Sequence, residues 1–190
     1  MKRSKLYFIL MLSLGIGACN NEEASSKVTK EILELSTVSG RVGSEYLQNV
    51  KVCVDCNGNM QCDTDEHSTL SDEKSQFTID DVPKHKIESC PLVAEVNDST
   101  ITPATGGAIP LPYTMIAPAG SKVINSLTSL IHFKMEEGKT YQESNDYLQD
   151  EILSDMAVDS NFMTLLETER PDSQDYKEAV HQKNMANMLA

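Results

Sequence analysis

Four cysteines constrain the fold of this chain more than any other feature. They follow the spacing C-x2-C-x5-C-x27-C, with Cys53, Cys56, Cys62 and Cys90 at the four places. An even number of cysteines in an exported protein indicates disulfides, which hold small loop-rich domains together. Four cysteines allow three connectivities, and sequence alone does not choose among them. We expect one bridge between Cys56 and Cys62 that closes the short loop, which leaves Cys53 to join Cys90.

Export is predicted by the N-terminal segment. Three basic residues, Lys2, Arg3 and Lys5, precede an apolar run over residues 6–14. The run is too short to span a bilayer comfortably, and its flanks are those of a secretory signal. We therefore predict that residues 1–18 are a cleaved signal peptide and belong to no folded domain.

The residues at the predicted cleavage point, Ile16-Gly17-Ala18-Cys19, resemble the lipobox of bacterial lipoproteins. The resemblance implies that Cys19 becomes the first residue and carries a diacylglyceryl group plus an amide-linked acyl chain, which anchor it stably in a membrane. Because Asn20 rather than Asp follows this cysteine, the family pattern implies the outer membrane of a Gram-negative cell, facing the periplasm or the cell surface. The alternatives are a plain signal peptide with an unrelated cysteine and an N-terminal anchor helix.

The charge balance is strongly acidic. The chain has 16 Lys and Arg against 29 Asp and Glu, a formal charge of −13. Removal of residues 1–18 leaves 13 basic against 29 acidic residues, a charge of −16. Nucleic-acid binding needs a basic face, so nucleic acid is not predicted as a partner. Residues 19–35 begin with small and polar residues, and we predict that they form a flexible tether.

Residues 36–118 are predicted to form a small antiparallel β-sandwich. Short runs with alternating apolar residues, separated by turn residues and without a helical period between them, are typical of this architecture. A last run carries Pro110 and Pro112, which suits an edge strand or an extended crossing. The five runs cover residues 38–42, 50–54, 76–82, 92–96 and 109–116.

An acidic loop follows the second of these runs. Oxygen-bearing residues recur in it at positions 1, 3, 5, 7, 9 and 12 of an EF-hand-type calcium loop. Glu66 would close the site with both carboxylate oxygens, and Gln61 would contribute its main-chain carbonyl. The sixth position requires glycine, but this chain has Met60, and Gly58 lies two residues early. The alternative is a solvated acidic turn held by disulfides, without Ca²⁺. The six candidate ligands are Asp55, Asn57, Asn59, Gln61, Asp63 and Glu66.

The same segment is similar to the acidic loops of bacterial surface β-sandwich repeats of the Cna-B and SdrD-B-like, prealbumin-like type. The loop DCNGNMQCDTDE is followed by Leu70-Ser71-Asp72 and then by the strand over residues 75–79, in the order of that family. The similarity covers about residues 37–97. It implies a surface β-sandwich whose acidic loop binds Ca²⁺.

Residues 119–190 are predicted to be a helical region, so the fold class is α+β. Val123, Leu127 and Ile131 share one helical face, and Gly138 ends that helix. Thr140 and Glu143 form a capping box at the next helix. A short helix capped by residue 159 or 160 and a last helix beginning at 172 or 173 complete the region. The last helix reaches residue 190 without a capping residue, which predicts the start of a longer chain; a frayed terminal helix is the alternative.

The sequence carries no motif of a hydrolase, a P-loop enzyme or a dinucleotide-binding enzyme. We therefore predict a non-enzymatic, lipid-anchored envelope or surface protein that acts as a binding or adhesion module for an unidentified protein or surface ligand. The first alternative is a pilotin-like or secretion-associated outer-membrane lipoprotein. The second is a periplasmic thiol oxidoreductase using Cys53 and Cys56, although this C-x-x-C follows a strand pattern instead of opening a helix.

Overall fold

The structure, a computed structural model, describes residues 34–103, 105–109 and 111–189. The predicted signal peptide, Cys19 and nearly all of the predicted tether lie outside these ranges. The described residues confirm the α+β class. Their elements are β1 (Leu35–Val42), β2 (Lys51–Val54), β3 (Ser68–Leu70), β4 (Gln76–Pro83), α1 (Lys84–Ser89), β5 (Leu92–Val96), β6 (Ile101–Thr102), β7 (Gly107–Ala108), β8 (Tyr113–Ala117), β9 (Val123–Ile124), α2 (Ser126–Glu136), α3 (Tyr141–Glu151), α4 (Phe162–Thr168) and α5 (Gln174–Leu189).

Two sheets pack face to face in the N-terminal part. One has the strand order β4-β1-β9 and the other β3-β2-β5-β8, and β6 and β7 form a separate hairpin. All pairings are antiparallel except that of β1 with β9, which is parallel. Alternate residues of both sheets meet in one apolar core, which includes Val38, Ile79, Val52, Val54 and Ala94. The edge strand predicted for the run over residues 109–116 is present as β8, which begins after Pro112 and lies at the edge of the four-stranded sheet.

Two local expectations were wrong. Val123 and Ile124 belong to β9 and not to the following helix, because they pair with Arg41 and Val42 of β1. Strand pairing therefore continues past residue 118. The segment before β5, where no helix was expected, contains α1, which has six residues and buries none of them.

The helix boundaries follow their capping residues. The predicted capping box of Thr140 and Glu143 is present at α3. A second box at α2 joins Asn125 with Thr128. Asn161, not residue 159 or 160, caps α4. Ser173 accepts a hydrogen bond from the backbone N–H of Tyr176, 3.1 Å away, at the start of α5, as expected.

The four longer helices enclose a second apolar core, separate from that of the sheets. Its centre contains Leu127, Ile131, Phe162 and Ala179, all buried. Several polar contacts connect the helices to the sandwich, among them the ion pair between Arg41 of β1 and Glu167 of α4 at 2.8 Å. Among the described helices, none is both long and apolar enough to cross a membrane.

Candidate binding loop

The predicted acidic loop folds back over the outer face of the four-stranded sheet. Because side chains alternate along a strand, Cys53, Val93 and Ile116 point away from the main core. Cys62 and Met60 of the loop pack on them and complete a small cluster. The loop over residues 55–66 is therefore anchored from beneath, while Cys56 and Gln61 remain exposed.

Two disulfides hold this arrangement, and the expected pairing was wrong. Cys53 is bonded to Cys62, and Cys56 is bonded to Cys90. The second bond follows from strand register, since Val54 lies opposite Leu92 in the β2–β5 pair. Because the strands are antiparallel, Cys56, two residues after Val54, lies directly opposite Cys90, two residues before Leu92. Cys53 lies on the outer face of the sheet, and it bonds to Cys62 because the loop folds back over that face.

Asp55 organises the first half of the loop from a buried position. Its side chain is only 1% exposed. One carboxylate oxygen accepts the Gly58 N–H at 2.7 Å, and the other accepts the Met60 N–H at 2.9 Å. Met60 has a left-handed backbone, with φ of 59°. The sixth position of the loop therefore has the conformation for which the calcium motif uses glycine, although the residue is methionine.

Glu66 and Asp63 organise the second half. Glu66 accepts the N–H groups of Cys56 and Asp63, both at 3.2 Å. One oxygen of Asp63 accepts the side-chain amides of Asn57 and Asn59, both at 2.8 Å. The amide oxygens of these asparagines accept backbone N–H groups two residues ahead, at 3.0 and 2.8 Å. Backbone or side-chain amides thus donate hydrogen bonds to three of the four loop carboxylates, those of Asp55, Asp63 and Glu66.

These contacts bear directly on the calcium hypothesis. Hydrogen bonds link Asn57, Asn59, Asp63 and Glu66 to one another. Asp55 bonds instead to the Gly58 and Met60 N–H groups, and Gln61 contributes its backbone N–H and leaves its side chain exposed. The Asn57 and Asn59 amides present nitrogen to Asp63, where a cation needs oxygen. In this arrangement the side chains do not fit a Ca²⁺ ion, and both amides must turn to receive one. Within the described ranges no three His, Cys, Asp or Glu side chains form a metal-binding group. Calcium binding stays a prediction.

A cross-strand pair that the sequence reading missed fixes the far end of the loop. Lys51 of β2 lies opposite Glu95 of β5. The Lys51 ammonium donates to the Cys62 carbonyl at 2.5 Å, and Glu95 accepts the Cys62 N–H at 2.8 Å. The signal available in the sequence was the alternation of both strands, which places these residues on the same face as Cys53.

A second candidate surface lies beside α4 and α5. We call it the α4–α5 groove; it has a volume of about 450 Å³. At its rim the Tyr46 hydroxyl donates to Glu167 at 2.6 Å, a bond that raises the pKa of Tyr46. The hydrogen bond from Arg41 is the main reason why the pKa of Glu167 is lowered. The apolar lining of the α4–α5 groove consists of Tyr46, Met163, Leu166, Tyr176 and Val180.

Comparison of the chain with protein-family models, with curated proteins and with solved structures finds no match. The resemblances to lipoproteins and to Cna-B-like sandwiches therefore stay predictions.

Proposed function

We propose that the protein is a lipid-anchored, non-enzymatic binding module of the bacterial cell envelope, and that the doubly bridged loop over residues 55–66 is its recognition element. One observation carries the proposal: an exposed loop is fixed by two disulfides and by Asp55, Asp63 and Glu66 on a rigid sheet. Binding proteins commonly present such loops on a rigid scaffold, because little conformational entropy is then lost on association.

The cysteines support an exported location. Disulfides persist in oxidising compartments, and all four cysteines of the described region are paired. Attachment through Cys19 to the outer membrane of a Gram-negative cell, at its periplasmic side or at the cell surface, remains part of the proposal. Radiolabelled palmitate fed to the native host should label the wild-type chain and not Cys19→Ser. An unlabelled wild-type chain would contradict the anchor while leaving the loop proposal intact.

A second candidate function, an assembly role in which the helices dock a partner protein, is favoured by the α4–α5 groove. Its apolar lining beside Glu167 and Lys183 is the kind of surface on which a partner segment can bury side chains. The two functions place the partner on different faces of the protein.

Site-specific photo-crosslinking in intact cells distinguishes them. One photoreactive residue replaces Gln61 in the loop, another replaces Asn184 at the groove, and a control replaces Asp146 on α3; all three positions are exposed. Adducts obtained only from position 61 support the binding module, and adducts only from position 184 support the assembly role. Equal adducts from all three positions, or none, would contradict both functions.

The thiol oxidoreductase alternative gains no support from the cysteine arrangement. That chemistry joins the two cysteines of a C-x-x-C to each other in the oxidised state. Here Cys53 and Cys56 each have a different partner. Cys53, moreover, is fully buried.

A further inference from the structure

The two disulfides differ in their access to solvent. Cys53 and Cys62 are 0% and 7% exposed, in the cluster that Met60, Val93 and Ile116 complete. Cys56, in contrast, is an exposed residue at the start of the loop. Thiol–disulfide exchange requires a thiolate to reach a sulfur atom, so access determines which bond reacts.

The surroundings of the Cys56–Cys90 bond suit attack at Cys56. Cys90 is 9% exposed and follows the last residue of α1, whereas Cys56 is an exposed residue, so a thiolate approaches this bond from the Cys56 side. The Ser89 hydroxyl, which donates to the His85 carbonyl at 2.7 Å, lies 3.7 Å from the Cys90 sulfur. By rotation it can donate instead to a thiolate formed there, which makes Cys90 a better leaving group.

We propose that the Cys56–Cys90 bond is a site of reversible reduction on this protein, and that its partner is an envelope dithiol reductase with a C-x-x-C site. The partner's thiolate bonds to the Cys56 sulfur, and the bond to Cys90 breaks with its electron pair on the Cys90 sulfur, which takes up a proton. The partner's second thiol then displaces Cys56 as a thiol. The protein gains two electrons and two protons, and the dithiol becomes a disulfide. The protein is the substrate in this exchange, not the catalyst.

The charge around Cys56 specifies the partner further. Glu66 accepts the Cys56 N–H, and Asp63 and Asp55 lie in the same loop. An approaching thiolate is repelled by these carboxylates, so the reductase that acts here has basic residues around its active site.

Reduction leaves the base of the loop in place. Cys53–Cys62 and the contacts of Lys51 and Glu95 with Cys62 remain. Cys56 belongs to neither apolar core, whereas Cys90 packs in the core of the sandwich. Reduction removes the covalent link between Cys56, at the start of the loop, and Cys90, directly after α1. The loop then has two states with different mobility, set by the redox state of one bond.

Graded reduction tests the site. The full chain carrying Cys19→Ser is incubated with dithiothreitol under native conditions, alkylated at intervals, and mapped by mass spectrometry. We expect alkyl groups on Cys56 and Cys90 about ten times sooner than on Cys53 and Cys62. Simultaneous labelling of both pairs, or earlier labelling of the buried pair, would overturn the proposal.

Two further measurements address the partner and the leaving group. A C-x-x-C reductase whose second cysteine is replaced by serine should be trapped as a mixed disulfide on Cys56; trapping on Cys53 or Cys62 overturns the assignment. Ser89→Ala should slow reduction severalfold, while Ser99→Ala, whose hydroxyl bonds to Asn97, serves as the matched control. An unchanged rate in Ser89→Ala would remove the proposed role of that hydroxyl.

Discussion

At the scale of single residues, five non-glycine residues of the described ranges have the left-handed backbone that normally favours glycine, and two of them carry long apolar side chains. Met60 and Leu153 have φ values of 59° and 53°. For residues with a Cβ atom, this left-handed region costs roughly 1–2 kcal/mol. The two residues differ in what offsets that cost, because Met60 packs on a buried cluster whereas Leu153 is 85% exposed.

Leu153 ends α3 in the same way as Gly138 ends α2. In both places the next residue's N–H bonds to a carbonyl five residues earlier: Ser154 to Gln149 at 3.0 Å, and Lys139 to Lys134 at 3.3 Å. This is a Schellman motif, whose left-handed position is usually glycine. We expect Leu153→Gly to raise the free energy of unfolding by about 0.5–1 kcal/mol, since strain is relieved and little packing is lost.

Urea unfolding of the variants measures this effect. Leu153→Ala keeps the strain and should leave stability nearly unchanged, and Gly138→Ala should lower it by about 1 kcal/mol. A Leu153→Gly protein less stable than Leu153→Ala would contradict the left-handed strain at this residue, and a Leu153→Ala protein clearly less stable than wild type would show that the exposed leucine contributes packing.

For Met60, glycine and alanine substitutions separate strain from packing. Both remove the contact of the side chain with the Cys53–Cys62 cluster, but only glycine relieves the left-handed conformation. Met60→Gly should therefore be more stable than Met60→Ala by about 1 kcal/mol in urea unfolding. Equal stabilities would contradict the left-handed backbone at this residue.

At the scale of elements, the sequence predicted what is encoded locally. The α3 capping box needs only Thr140 and Glu143, three residues apart, and the alternation of β2 and β5 marks both strands. The disulfide pairing was missed because it depends on how two distant strands align. Once β2 and β5 are paired with Val54 opposite Leu92, Cys56 comes to lie opposite Cys90.

The same distinction explains the candidate site. The spacing of the oxygen-bearing residues predicted a loop in which alternate side chains turn inward, and Asn57, Asn59 and Asp63 are joined by hydrogen bonds there. Which atoms face one another was not readable from spacing, because each asparagine amide can present oxygen or nitrogen. Likewise, Val123 and Ile124 fit a helical period in the sequence. They form a strand because they pair with β1, which is distant in the sequence.

Calcium can still bind if the Asn57 and Asn59 amides turn, and thermal unfolding tests this. With Ca²⁺ at ten to a hundred times its Kd, we expect stabilisation of about 1–3 kcal/mol, reversed by chelator. Glu66→Gln should remove most of the increase, while Asp98→Asn, outside the loop, should retain it. An unchanged midpoint at about 10 mM Ca²⁺ would contradict the site, given the millimolar range of extracellular calcium modules.

At the scale of the whole molecule, two apolar cores are joined by polar contacts. Arg41, only 3% exposed, donates two hydrogen bonds from β1 to Glu167 of α4, at 2.8 and 3.3 Å. Ser44 donates to Asn187 of α5 at 2.5 Å. Loss of one partner leaves a buried guanidinium without its counter-charge, which is costlier than loss of an exposed ion pair. Glu167 is therefore one of the residues through which the helices are held to the sandwich.

The Arg41–Glu167 pair makes stability depend on pH in a predictable direction. The hydrogen bond from Arg41 holds the pKa of Glu167 below its usual 4.5. A carboxyl whose pKa is lowered in the folded state contributes its full stabilisation above its unfolded-state pKa, and loses that stabilisation as the pH falls through its folded-state pKa.

At pH 7 we expect Glu167→Gln to lower the free energy of unfolding by about 1–2 kcal/mol. The difference from wild type, measured by urea unfolding, should stay constant down to about pH 4.5 and then shrink. Glu73→Gln, an exposed control, should match wild type throughout, and a Glu167→Gln deficit that persists undiminished at pH 2–3 would show that the ionised pair is not what joins the two halves.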